Sequence, residues 1–141
     1  MKIFLRIFLI IIFVGIISGC ADNEAEMEVY EIANRSFSQQ MSAIMFDTEN
    51  FLGQAIRYEG SFVESVCGTT GDAIYHVVQF GASCCGPGDG LGFEVYLNDI
   101  PSVAPFTWIE ITGVLEEVSI EGVGDVLRLN VLSMYPVEAR P

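Results

Sequence analysis

Residues 54 to 65 read QAIRYEGSFVES, and the glycine in their middle decides how the rest of the chain is read. Around Gly60 the residues alternate, with Ile56, Tyr58 and Phe62 set against Arg57, Glu59 and Ser61. Alternation with a period of two marks a strand with one buried face. A glycine inside such a run marks a bulge or a sharp bend. The same design recurs in TWIEITGVLEEVSI, residues 107 to 120, interrupted at Gly113. A long strand bent at glycine can pair with different neighbours along its two halves, which is how a small barrel turns its corners.

Working outward, AIYHVVQFGA (73–82), GFEVYL (92–97) and VLRLNVLSMY (126–135) supply three more strand patterns. CGTTGD (67–72), CCGPGDG (84–90) and EGVGD (121–125) have the composition of turns. NDIPSVAP (98–105), with Pro101 and Pro105, excludes a long helix or a central strand. Upstream, Ile32, Phe37, Met41, Ile44 and Met45 fall on one face of a short helix, with Asn34 or Ser36 as its cap. The expectation is a mainly β protein: a five-stranded OB-like small barrel with a short N-terminal helix. The helix usual between strands three and four of that fold is reduced to the proline-containing loop. Another small barrel or a sandwich is the competing architecture.

The ends carry a different message. MKIFLR is a short basic start, IFLIIIFVGII an apolar run, and Ile17-Ser18-Gly19-Cys20 ends it, the three-part layout of a secretory signal. The run is short for a spanning helix, which needs roughly 20 residues. Its ending resembles the lipobox of bacterial lipoproteins. That resemblance implies diacylglycerol on Cys20, cleavage before it, and attachment to the membrane through that lipid. The expected organisation is a signal peptide at 1–19, an acidic tether at 20–31 and a single barrel domain at 32–141. The location this implies is the cell envelope, on the extracytoplasmic side, facing the periplasm or the cell surface.

All 19 acidic residues follow the signal, against Arg35, Arg57, Arg128 and Arg140 and no lysine, a side-chain balance of −15. Such a field repels nucleic acid and anionic head groups, so nucleic-acid binding is not expected. It suits solubility and raises the local concentration of cations.

Beyond Cys20, the chain holds Cys67, the adjacent pair Cys84 and Cys85, and a single histidine, His76. Four readings compete. The first is a soft-metal site for zinc or copper(I), with Cys67 or His76, or a carboxylate such as Asp89 or Glu94, completing the shell. The spacing is not the usual one for structural zinc, in which two to four residues separate each pair of ligands. The second is a disulfide from Cys67 to Cys84 or Cys85, which leaves an odd thiol. The third is a thiol redox couple of the envelope, and the fourth is plain packing. His76 and Cys84 stand nearly 26 Å apart on a straight strand at about 3.3 Å per residue, so all four side chains meet only if the strand curves. The same distance, and the lack of a Cys-His signature, speak against a cysteine enzyme. GPGDG lacks the lysine and spacing of a phosphate loop.

IRYEGSFVES, YHVVQFGASCCGPGDGLGFEVYL and WIEITGVLEEV together resemble small bacterial OB-fold-like envelope lipoproteins. They are also similar to the extracytoplasmic C-terminal domain of YcgQ-like membrane proteins. The resemblance covers roughly residues 53 to 118, with Ser83-Cys84-Cys85 as its most specific element. It implies an OB-like fold outside the cytoplasmic membrane. This chain departs from the YcgQ-like pattern in having a lipobox in place of spanning helices and GPGDG in place of an alanine-rich turn. The functional expectation is a non-enzymatic, lipid-anchored binding or interaction module, with an envelope protein as a candidate partner. The envelope thiol redox protein is the alternative.

Overall fold

The computed structural model describes residues 27–83, 86–99 and 102–139. Six strands and one short helix follow in the order β1 (Val29–Glu31), α1 (Phe37–Phe46), β2 (Ala55–Val66), β3 (Ala73–Ser83), β4 (Gly86–Tyr96), β5 (Trp108–Ile120) and β6 (Gly124–Pro136). Short 3₁₀ turns at Asn34–Ser36 and Thr48–Asn50 flank the helix. Among the described residues, no helix is long and apolar enough to cross a membrane.

The strands form one ring-like sheet in the order β1-β2-β3-β4-β6-β5, with β5 returning to β2. Neighbours around the ring are antiparallel except for β4 and β6, which run parallel. The bend read at Gly60 makes this closure work. β2 pairs with β5 from Ala55↔Val114 to Ser61↔Trp108, then with β3 from Ser61↔Val78 to Val66↔Ala73. Only Ser61 serves both neighbours. A Cβ on Gly60 would stand 2.9 Å from the Val78 carbonyl oxygen, so the strand can cross over there because no side chain intervenes. Gly113 does similar work in β5, beside the bulge that shifts the β5–β6 register between Thr112 and Gly113. The seam between β4 and β6 is short, with three pairs from Glu94↔Arg128 to Tyr96↔Asn130.

Inside the ring the alternating apolar faces meet. Ile56, Tyr58 and Phe62 of β2 pack with Val77, Phe93, Val95, Ile109, Ile111, Leu115 and Leu129, all nearly inaccessible. Helix α1 buries Phe37, Met41 and Ile44, at offsets of four and seven, in the same core. Phe37 meets the Tyr58 ring at 5.7 Å. Neither expected cap residue makes a side-chain capping bond. Instead Gln40 reaches back, its Oε1 accepting from the Ala33 N–H at 2.9 Å and the Ser36 hydroxyl at 2.7 Å. Met45 is exposed and Ile32 is buried ahead of the helix, so the apolar stripe is shorter than its sequence pattern.

Two further differences matter. The end of the acidic segment is structured: Val29–Glu31 pairs parallel with Ala55–Arg57 of β2. The glycine-rich stretch expected to be a turn is mostly strand, because β4 starts at Gly86, and Ser83 pairs with Gly86 and Ala82 with Pro87.

Candidate functional site

β3 and β4 outrun the ring. β2 stops pairing with β3 at Val78, and β6 pairs with β4 only from Glu94 onward. Between those points the two strands pair only with each other, from Gln79↔Leu91 and Phe80↔Gly90 to Ser83↔Gly86. A two-stranded ribbon has no third strand to support it and is marginal on its own. Phe80 on this ribbon is 49% exposed. The two residues that join its ends are Cys84 and Cys85, which lie outside the described residues, as does Cys20.

Cys67 sits at the other end of β3. It closes the β2–β3 turn, its N–H donating to the Asp72 carbonyl and its own carbonyl accepting from Gly71, both at 2.8 Å. Hydrogen bonds from the Thr70 hydroxyl and from the Thr70 and Thr69 backbone hold its thiol below the ordinary range, against the opposing charge of Asp72. The 11 residues of β3 separate this turn from the Ser83–Gly86 end of the ribbon, about 36 Å along an extended strand. His76 lies between, on the outer face, opposite Val63 and Glu94. Burial lowers its pKa from 6.5, partly offset by the negative charge of Glu94. Of the expected ligand set, Cys67 thus sits in the β2–β3 turn and His76 within β3, and the other two members, Cys84 and Cys85, lie outside the described residues. Among the described residues, no three His, Cys, Asp or Glu side chains gather as a metal cage.

Sequence reasoning missed a second place on the molecule. The chain from Glu31 to Arg35 crosses the outer face of β2 and β5, leaving a cleft of about 310 Å³ beside Arg57, Glu59 and Glu110. Glu59 is 7% exposed, and its Oε2 accepts from Asn34 Nδ2 at 3.0 Å and Trp108 Nε1 at 3.2 Å. Gln79 Nε2 donates to Asn34 Oδ1 at 2.9 Å and to the Glu59 carbonyl at 2.8 Å, locking the clamp. Glu110 stands directly across from Glu59 in the β2–β5 register. The Tyr135 hydroxyl donates to Glu110 Oε1, which raises the Tyr135 pKa. Arg57 Nε donates to Thr112 Oγ1 at 3.3 Å and lies 3.9 Å from Glu110 Oε1. In sequence, Glu59 is simply an outward position of an alternating strand. Its burial depends on Asn34, 25 residues away, for which no local pattern gives a signal.

The chain matches no protein-family model and no curated protein.

Proposed function

We propose that this chain is a lipid-anchored, extracytoplasmic binding module, held to the membrane through Cys20, whose β3–β4 ribbon carries a soft-metal grip at Cys84 and Cys85. One observation carries the reading. The Ser83↔Gly86 pairing leaves two residues to join the strands, and both are cysteines. A ribbon that pairs with no third strand is suited to engagement rather than to folding. Thiolates select zinc or copper(I). Ligands beyond the pair would come from Cys67, His76, a carboxylate or a partner protein of the envelope. The acidic surface favours cationic partners and disfavours nucleic acid.

The test is calorimetry of the reduced full chain in detergent with zinc and with copper(I), in two buffers of different ionisation enthalpy. Binding should release protons, because thiols ionise to coordinate. It should vanish in the double variant Cys84→Ser, Cys85→Ser; Cys67→Ser and His76→Ala show whether either completes the shell. Reduced protein that takes up neither metal would end the metal reading. A second reading, envelope thiol redox chemistry, draws on the lowered pKa of Cys67. It requires rapid alkylation at Cys67 and a reversible dithiol–disulfide couple among Cys67, Cys84 and Cys85.

A further inference from the structure

The cleft under the 31–35 segment has the charge arrangement of a receptor for a small molecule that carries both signs. It is lined by two of the three arginines among the described residues and by Glu31, Glu59 and Glu110. Glu59 and Glu110 face one another across β2 and β5, a like-charge pair that costs stability on a sheet. Their hydrogen bonds hold them in place: Asn34 and Trp108 on Glu59, Tyr135 on Glu110. Arg35, in the same wall, is exposed, and its side chain makes no ion pair or hydrogen bond among the described residues. In a chain of net charge −13, an arginine beside three glutamates and joined to none of them stands ready for an incoming anion.

We propose that this cleft binds a small zwitterion of the amino-acid class. Arg35 and Arg57 take the carboxylate, and the cationic nitrogen lies against Glu31 and Glu110, with Glu59 fixed beneath as the floor. A simple anion meets three glutamates here and a simple cation meets two arginines, whereas a zwitterion satisfies both walls. Guanidinium suits the carboxylate because it offers paired donors in a planar fork. The volume of about 310 Å³ falls at the small end of ligand pockets, roughly 300–1,000 Å³, and matches a single amino acid or a similar molecule. This site is separate from the cysteine pair and stands or falls without it.

The experiment is calorimetry, with thermal melting alongside, of the full chain in detergent. The probes are L-alanine, L-glutamine, L-arginine and glycine betaine, with acetate and methylammonium as half-ligands. At least one zwitterion should bind with Kd below about 10 mM and raise the melting temperature, while both half-ligands bind at least about tenfold more weakly. Arg35→Ala removes an exposed side chain that makes no ion pair or hydrogen bond among the described residues, so it should leave melting of the free protein unchanged and weaken binding about tenfold or more. Glu110→Gln should weaken the zwitterion without weakening acetate. Cys84→Ser with Cys85→Ser should change neither. The proposal is overturned if no zwitterion binds up to about 10 mM, if a half-ligand binds as well, or if Arg35→Ala and Glu110→Gln bind like the parent.

Discussion

Tyr58 shows how one side chain can tie three strands together. Its hydroxyl donates to the Val77 carbonyl at 2.7 Å and accepts from the Phe93 N–H at 3.2 Å, bridging two residues that face each other across β3 and β4. Burial pushes the phenol's pKa up, so it stays a neutral donor. Tyr58→Phe leaves a buried amide and a carbonyl without that bridge and should cost about 2 kcal/mol in urea unfolding. The neighbouring Gly92 is needed for the same reason: a Cβ there would lie 1.9 Å from the Val77 oxygen. Gly92→Ala should therefore cost about 3 kcal/mol or more, whereas Gly68→Ala, with nothing within 4 Å, should stay within about 0.5 kcal/mol of the parent. Equal costs for the two would show that the close approach at Gly92 is not there. His76 contributes to the pH dependence. Its folded pKa lies below 6.5, so between 6.5 and that lower value the unfolded chain binds the extra proton. Stability is complete above 6.5 and falls as pH drops through this window. His76→Gln should flatten that limb of the melting profile between about pH 8 and pH 5.5, above the range in which most carboxylates titrate.

At the scale of elements, what was legible and what was not divide along a physical line. The bends at Gly60 and Gly113 could be read because each interrupts an alternation that local residues already establish. The burial of Phe37, Met41 and Ile44 followed from their spacing. The start of β4 could not be read, because GPGDG has turn composition and becomes strand only through its pairing with Ala82 and Ser83. β1 is three residues long inside an acidic run and exists because β2 offers an edge. The clamp on Glu59 joins Asn34, Gln79 and Trp108 from three separate elements, so the best-built polar site left no trace in local sequence. The β4–β6 seam rests on few pairs, and one side chain reinforces it: the Arg128 guanidinium lies 4.4 Å from the centre of the Tyr96 ring across the seam, while its Nε donates to Glu116 Oε1 at 2.6 Å on the β5 side. Both partners are partly exposed, so the ion pair itself contributes little, and the ring contact adds about 0.5–1 kcal/mol. Arg128→Ala should lower stability by about 1 kcal/mol and speed hydrogen exchange at Val95 and Leu129 more than at Ile111. Uniform acceleration across all three would place the seam within the global unfolding unit.

For the whole molecule, the dominant electrostatic term is repulsion. Nineteen carboxylates face six cations, a net charge of −13, and the described ion pairs are Arg57 with Glu110 and Arg128 with Glu116. Exposed pairs of this kind contribute about 0–1 kcal/mol each and are weakened by salt. Repulsion among many like charges opposes the compact state and is also weakened by salt. The two responses have opposite signs, so the balance can be measured. Raising sodium chloride from about 0.01 to about 0.5 M shortens the screening length from roughly 30 Å to under 8 Å, which covers most carboxylate separations on a domain this size. With two ion pairs among the described residues and nineteen acids in the sequence, relief of repulsion should win, and the urea midpoint of the full chain in detergent should rise with salt. Chloride is the right anion, since sulfate would stabilise by exclusion from the surface whatever the charge. A midpoint that fell with salt would mean that the few arginines contribute more than their exposed geometry allows. The Arg57–Glu110 contact would then be the first place to look, because it borders the proposed zwitterion cleft.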